Sequence, residues 1–302
     1  MSSRLATNLK NKHLLLTFDA FGTLYKPRTS IPAEYVKIAK TYGIQGIDEQ
    51  ELAVSFRKAF KSTSKQFPNY GKNAKLGLSE WWTHVIRGSF EPVSSKPISD
   101  AMIGSLMRHF SGREAYCFFD DVLPFFAYLK DVNGSRAQSP EWPWKSTTVG
   151  IITNSDNRVA AILEALGLRS RDKREGESKD TGSDISFVAA SYDVGFEKPD
   201  ARIFHAARDA FAQLPTSAEI SDDDVVRVHV GDDLEKDVIG AIGAGWTPIF
   251  LDRDTRFEDE KGRDRQERST LPVTHPVTHE KTKINRIRNL SRLRPGLPPT
   301  NV

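Results

Sequence analysis

Four apolar runs, each followed by a side chain that can do chemistry, constrain this chain more than any other feature. Leu14-Leu15-Leu16-Thr17-Phe18 runs into Asp19, and Val149-Gly150-Ile151-Ile152 runs into Thr153. Ile185 to Ala190 precedes Lys198 by a short loop, and Val228-His229-Val230-Gly231 runs into Asp232. Candidate helices follow at Val159 to Leu166, at Ala201 to Phe211 and after Asp233. Apolar strands alternating with helices imply an α/β chain built on a parallel sheet in a three-layer, Rossmann-like arrangement. In open sheets of that kind ligands sit beyond the carboxyl ends of the strands. The polar residues are therefore expected along one edge.

Asp19 opens the tight turn Asp19-Ala20-Phe21-Gly22-Thr23-Leu24. A carboxylate at a strand tip suits an attacking nucleophile, although Asp before a Gly turn is also a common turn former. Thr153, with Asn154-Ser155-Asp156 at the mouth of a helix, offers a hydroxyl and free amides to an anion; as a plain alternative these are strand-end and N-cap residues. Lys198 in Phe196-Glu197-Lys198-Pro199-Asp200 is either an anion ligand or a solvated charge beside Glu197. In Gly231-Asp232-Asp233-Leu234-Glu235-Lys236-Asp237, helical spacing stacks Asp233 and Asp237 on one face, with Asp232 at the loop edge. Clustered carboxylates repel unless a cation sits among them, and hard oxygen donors suit Mg²⁺. We read Asp232 and Asp237 as metal-directed and Asp233 as an N-cap acid.

An acid, a hydroxyl, a lysine and an acid pair, each just after a candidate strand and in this order, resemble the haloacid dehalogenase superfamily of hydrolases over residues 13 to 250. Phe56 to Lys61, Phe67-Pro68-Asn69-Tyr70-Gly71 and Leu78-Ser79-Glu80-Trp81-Trp82 look most like its domain-containing protein 3 group, including fungal relatives. The resemblance implies an inserted four-helix (C1-type) cap over the sheet. It implies phosphate-ester hydrolysis through an aspartyl-phosphate on Asp19, with Thr153, Asn154 and Lys198 at the phosphoryl oxygens. Mg²⁺ is implied as cofactor, held by Asp19, the backbone carbonyl of Phe21, Asp232 and Asp237, the last directly or through water, and the implied substrate is a small phosphorylated metabolite. The departure is Phe21, because the phosphatases of this superfamily usually carry a second Asp there as general acid and base. Phenylalanine can do neither job, so activity is expected to be weak, and its side chain is read as a core or cap-facing aromatic. An aromatic at that position is what the metal-free 2-haloacid dehalogenases carry, which keeps that activity open, with Arg57 as candidate for the substrate carboxylate. A catalytically weak module that binds a phosphorylated ligand is the third reading.

The implied organisation is core over 1–25, helical cap over 26–115 and core again over 116–253, then a disordered insert over 254–280 and a basic C-terminal helix or tail over 281–302. Within the cap, helices are expected over Pro32 to Tyr42, Glu49 to Lys65, Ser79 to Ile86 and Ser99 to Phe110. Asn133 to Ser146 and Ser170 to Asp184 read as surface loops, and Trp81 and Trp82 mainly as packing. Residues 271 to 302 hold six Lys or Arg against the single acid Glu280. Ile284, Ile287, Leu290 and Leu293 recur every three residues, as in an amphipathic docking helix. The tail carries no strong signal for nucleic acid or membrane, and His275 and His279 have no Cys partners for a metal. At 302 residues and 38% hydrophobic, the chain can bury one sizeable core and a smaller domain. The lone Cys117 excludes an intrachain disulfide and is read as a buried thiol. With no spanning apolar run and no secretory signal core, the chain is expected inside the cell, in cytoplasm or nucleus, with a mitochondrial address open from Arg4, Lys10 and Lys12.

Overall fold

The structure is a computed structural model that describes residues 9–134, 142–171, 182–254 and 268–293. In chain order the strands are β1 (His13–Phe18), β2 (Tyr25–Pro27), β3 (Tyr116–Phe118), β4 (Ser146–Thr153), β5 (Phe187–Ala190), β6 (Val225–Gly231), β7 (Thr247–Leu251), β8 (Arg268–Thr274) and β9 (Lys281–Ile287). The longer helices are α1 (Ile31–Thr41), α2 (Glu49–Gln66), α3 (Leu78–Phe90), α4 (Asp100–His109), α5 (Val122–Gly134), α6 (Val159–Leu166) and α7 (Ala201–Ala212). Seven strands form one sheet in the order β5-β4-β1-β6-β7-β9-β8, parallel except for β8 at the edge. This is the expected α/β, Rossmann-like architecture. β1 lies between β4 and β6, so the chain first builds to one side of β1 and then to the other. The crevice at such a reversal is where an open sheet binds ligands.

Successive β1 side chains face opposite layers. Leu14, Leu16 and Phe18 join the main cluster with Phe125, Phe126, Ile162 and Leu163. Leu15 points the other way, into Ile203, Phe204, Ala207 and Trp246. Burial on both faces is why the strand reads as a continuous apolar run.

Helices α1 to α4 form an insertion whose two ends are joined by the antiparallel pair β2–β3. Ser30, Asp48 and Ser99 cap α1, α2 and α4 through side-chain oxygens, as their residue types favour. α3 starts instead after Gly77 at φ +84°, which leaves Ser79 inside the helix rather than at its cap. Tyr35 stacks on Phe90 at 5.8 Å and meets Phe56 edge-on at 5.5 Å, so the insertion has an aromatic interior of its own.

Three expectations are corrected. The periodic C-terminal segment is not a helix: β9 extends the sheet beside β7, and only Leu290–Leu293 makes a helical turn, a 3₁₀ one. Ile284 packs with Val238 and Phe250, while Ile287, Leu290 and Leu293 join the main cluster, so the spacing of three joins two residues on opposite faces of a strand to two on a 3₁₀ turn. Residues 268–274, placed in a disordered insert, form β8 paired with β9; 255–267 lie outside the described residues. Trp142 and Trp144, placed in a surface loop, are buried, with Trp142 edge-on to Phe125 at 6.4 Å. The loop residues 135–141 and 172–181 lie outside the described residues. Cys117 is half-buried. No described helix is long and apolar enough to cross a membrane.

Candidate active site

The strand tips bring Asp19, Lys198, Asp232 and Asp237 together. Lys198 is the hinge of the cluster: its Nζ donates to Asp19 Oδ1 at 2.7 Å, to Asp237 Oδ1 at 2.6 Å and to the Ile152 carbonyl at 2.8 Å. The last bond sets the ammonium beside the end of β4, where Thr153 is buried next to Ile152. Burial alone would lower the Lys198 pKa, but the two carboxylates outweigh it and hold the ammonium above its usual value. Burial would likewise raise Asp237, yet Lys198 and His229 hold it well below the usual carboxylate range. Both groups are therefore charged, and the low local dielectric strengthens their attraction.

Two glycines make this approach possible. Gly22 sits at φ +87°, and a Cβ there would lie 2.8 Å from Asp232 Oδ2. A Cβ on Gly231 would lie 2.1 Å from Asp237 Cγ. Thr23 Oγ1 donates to Asp232 Oδ1 at 2.9 Å, and Arg253 holds the Thr23 carbonyl through Nε and Nη2 at 3.1 and 2.8 Å. The segment after Asp232 winds as a π-helical turn, Leu234–Ile239, rather than a regular helix. Asp233 is its N-cap, accepting from the Glu235 and Lys236 amides, and Asp237 Oδ2 accepts from Asp233 N at 2.9 Å. Single π turns recur at functional sites because they re-aim one side chain without ending a helix.

One oxygen each from Asp19, Asp232 and Asp237 lies within 4.8 Å of the other two. An octahedral Mg²⁺ shell with bonds near 2.1 Å spans about 4.2 Å between opposite ligands, so a modest contraction fits the trio around one ion. Three acids against one lysine also favour a divalent cation electrostatically. Asp237 fits as the outer member, since Oδ1 is engaged by Lys198 and His229 and Oδ2 by Asp233 N.

Other sequence candidates are placed differently. Asn154, expected at substrate, spends both ends of its amide on the Lys198 peptide: Nδ2 donates to the Lys198 carbonyl at 2.9 Å and Oδ1 accepts from Lys198 N at 2.6 Å. It positions the lysine. Of the two readings of the Phe21 side chain the core one is corrected, since it is 46% exposed; it lies edge-on to Tyr25 at 5.8 Å and to Tyr116 at 6.4 Å, on the strand pair at the base of the insertion, as the cap-facing reading has it. Arg57 lies exposed on α2, outside the carboxylate cluster.

Several site residues escaped the sequence reading. Thr17 and His229 are register partners on β1 and β6, on the face shared with Leu15. His229 Nε2 lies 3.1 Å from Asp237 Oδ1 and Nδ1 lies 2.9 Å from Thr17 Oγ1, all fully buried or nearly so. Burial lowers the His229 pKa, so the ring is neutral; with Asp237 ionised, we assign the proton to Nε2. From the insertion, Tyr70 donates to the Asn154 carbonyl at 3.1 Å, Asn69 Nδ2 to the Ser191 carbonyl at 2.7 Å and Trp82 Nε1 to Asp156 Oδ2 at 2.9 Å. Asn69, Tyr70 and Gly71 stand consecutively at φ +48°, +55° and +76°. His229 carried a sequence signal as a polar residue inside an apolar strand, while Asn69, Tyr70 and Trp82 lay in segments that carried the family resemblance without pointing to these bonds.

Comparison with known proteins identifies the family and the fold. The family model described as haloacid dehalogenase-like hydrolase matches residues 14–245. A putative uncharacterized hydrolase of Schizosaccharomyces pombe, C7D4.05, is 32% identical over 244 residues, covering 80% of this chain and 92% of its own. The haloacid dehalogenase-like hydrolase domain-containing protein 3 of Bos taurus is 27% identical, covering 76% of this chain and 78% of its own. Among solved structures, the putative HAD-hydrolase YfnB from Bacillus subtilis, described as bound to magnesium, superimposes with a TM-score of 0.55 at 15% identity, covering 93% of this chain and 96% of that one. The defluorinating L-2-haloacid dehalogenase Rha0230 superimposes with a TM-score of 0.51 at 14% identity, covering 82% and 85%. These structural likenesses concern the fold.

Proposed function

This chain belongs to the haloacid dehalogenase-like hydrolase family, and from that premise we propose that it hydrolyses a small phosphate monoester with Mg²⁺ as cofactor, Asp19 acting as the nucleophile. The observation that carries the reading is the convergence of three carboxylate oxygens within 4.8 Å beside a lysine ammonium 2.7 Å from Asp19.

Asp19 presents its carboxylate at the tip of β1, with Oδ1 held by Lys198, so the side chain is oriented before substrate arrives. Its other oxygen attacks phosphorus as the bond to the ester oxygen breaks, the alcohol leaving and taking its proton from water; water then attacks the aspartyl-phosphate, freeing Asp19 and inorganic phosphate. Lys198 and the Thr153 hydroxyl meet the phosphoryl oxygens, and the ammonium offsets repulsion between Asp19 and the anionic ester. Asp19, Asp232 and the Phe21 carbonyl would hold the ion, with Asp237 behind them. The ion, when bound, neutralises charge developing on the transferring phosphoryl group. Phe21 supplies neither proton donor nor base, so esters with good leaving groups are the better substrates. The single cysteine suits a reducing intracellular compartment.

A panel of phosphomonoesters assayed with and without Mg²⁺ tests the proposal. Turnover that depends on Mg²⁺ and favours aryl over alkyl leaving groups supports it; metal-independent halide release from 2-chloropropionate overturns it. A metal-free 2-haloacid dehalogenase is the second reading, favoured by one feature: Lys198 and His229 already satisfy Asp237 without an ion.

A further inference from the structure

The described residues past the span matched to the family supply β7, β8, β9 and a closing 3₁₀ turn, Leu290–Leu293. This segment also reaches the carboxylate cluster. Arg253, two residues after β7, donates to the Thr23 carbonyl through Nε and Nη2, and Thr23 in turn donates from Oγ1 to Asp232 Oδ1. On the far side of the guanidinium, Nη1 lies 3.0 Å from Asp121 Oδ1, and Asp121 Oδ2 accepts from Leu290 N at 2.6 Å. The guanidinium also lies 4.0 Å from the centroid of the Phe119 ring, and Phe119 N donates to the Leu24 carbonyl at 3.1 Å. One planar fork thus ties the last turn of the chain to the turn that follows Asp19. A lysine ammonium could not hold so many partners in a fixed plane.

Two opposing effects on Asp232 follow. Burial pulls the Arg253 pKa down against the carboxylates of Asp121 and Asp232, so its positive charge is felt at Asp232 and competes there with a metal ion. As a fork, however, it closes the turn and sets the hydroxyl that restricts rotation of the Asp232 carboxylate. The fit there is tight, since the Asp232 oxygens lie where a Cβ on Gly22 would be. Partners behind a metal ligand typically change metal affinity about 10–100-fold. Resting on the Mg²⁺ site proposed above, we infer that Arg253 is a positioning residue for Asp232, acting through Thr23 and anchored by Asp121 to the C-terminal turn. Positioning outweighs repulsion, because the contact pair with Asp121 offsets most of the arginine charge.

Calorimetric titration of the full chain with Mg²⁺, in the absence of substrate, tests this role. Thr23→Val keeps the shape and deletes the hydroxyl, Arg253→Met keeps the stem and deletes the fork, and each should raise Kd about tenfold. The double variant should bind about as weakly as Thr23→Val alone, because two residues on one path do not add. Losses that multiply overturn action through Thr23. Tighter Mg²⁺ binding by Arg253→Met overturns the role as well, the charge then mattering more than the fork. Should that variant misfold, Arg253→Lys decides: it keeps the charge, so a raised Kd follows from the lost fork and an unchanged Kd overturns the role. Phe211→Ala, a core truncation on α7 outside the network, is the control, with a lowered urea midpoint and an unchanged Kd expected. A Kd that rises there in step with lost stability makes Arg253 merely structural. A wild-type chain that takes up no Mg²⁺ overturns the cation site and this role together, whereas uptake unaltered by the variants overturns the role alone and leaves the phosphatase reading standing.

Discussion

At the carboxyl edge of the sheet, the reactive side chains are placed by backbone register, whereas the helical insertion reaches the same edge through a few side-chain tethers. Asp19, Thr153 and Asp232 stand at the tips of three neighbouring strands, and Asp19 N even donates to the Val230 carbonyl at 2.9 Å, continuing the ladder past the strand end. The insertion side offers no ladder there. Its segment 69–71 holds three consecutive left-handed residues, two of them not glycine, a conformation that costs roughly 1–2 kcal/mol per residue unless contacts offset it. Those contacts are Tyr70 to Asn154, Asn69 to Ser191 and Trp82 to Asp156. The difference teaches where rigidity is needed: chemistry sits on the part that cannot shift, and the covering part is fastened by bonds that single substitutions can undo.

The largest effect should come from the rigid side. Asp19→Asn keeps the shape and removes the proposed nucleophile, so turnover should fall by roughly 10⁴-fold or more, read as single-turnover release of phosphate. Folding should persist, because Asn still offers Lys198 an oxygen. Lys198→Met removes the one cation between Asp19 and Asp237 and leaves buried carboxylates uncompensated. Breaking a buried pair in this way costs about 3–5 kcal/mol, to be seen as a lowered urea midpoint. Added Mg²⁺ should restore part of the loss, and no restoration would speak against a cation site at these carboxylates. Phe21→Asp should raise kcat toward alkyl phosphates by about 10²-fold, the low end of general acid–base help. A rate equal to wild type would mean that another group already supplies the proton.

Much of the rigid side was legible in the sequence because burial on both faces writes itself as an unbroken apolar run, and strand tips follow from where the run stops. Asp19 and Asp232 were found that way, Lys198 from the loop after a third run and Asp237 from its spacing to Asp233, and the four do converge. That signature is missing at β9, where Ile284 and Ile287 lie on a doubly covered strand, Arg286 is buried against Asp252 and Ser269, and a spacing of three suggested a helix instead. A buried arginine breaks the apolar run that would have announced a strand. Partners that depend on register were illegible, since nothing in one chain says that Thr17 lies across from His229. Arg158 escaped for a related reason: a helix-start arginine reads as solvated until Trp82, 76 positions earlier, is known to cover it.

His229→Leu tests the register-dependent relay. It removes the Nε2–H donor to Asp237 and leaves Thr17 facing an apolar side chain, an unmade bond at a buried group costing about 1–3 kcal/mol. His229→Asn, which can still donate, should recover part of that stability. If the relay also aims Asp237, the leucine variant should need more Mg²⁺ for half-maximal activity while the asparagine variant needs less than it. Equal stability of both with wild type would show that the 3.1 Å contact contributes nothing.

The smallest effect belongs to the tethered side. Tyr70→Phe deletes one oxygen and with it the bond to the Asn154 carbonyl, a neutral hydrogen bond with a net contribution of about 0.5–1.5 kcal/mol. Burial raises the Tyr70 pKa, so the hydroxyl remains a donor throughout the neutral range and the bond is present whenever the insertion is docked. Asn154 keeps its two bonds to the Lys198 peptide in the variant, so the lysine should stay aimed and kcat should change little. What should change is the hold of the insertion on the sheet: amide exchange over residues 67–90 should quicken several-fold and KM should rise, while exchange in β1, β4 and β6 stays as it was. Exchange that quickens equally in the strands would mean that the strained turn is part of the core rather than fastened to it, and the contrast between a ladder-built edge and a tethered cover would fail.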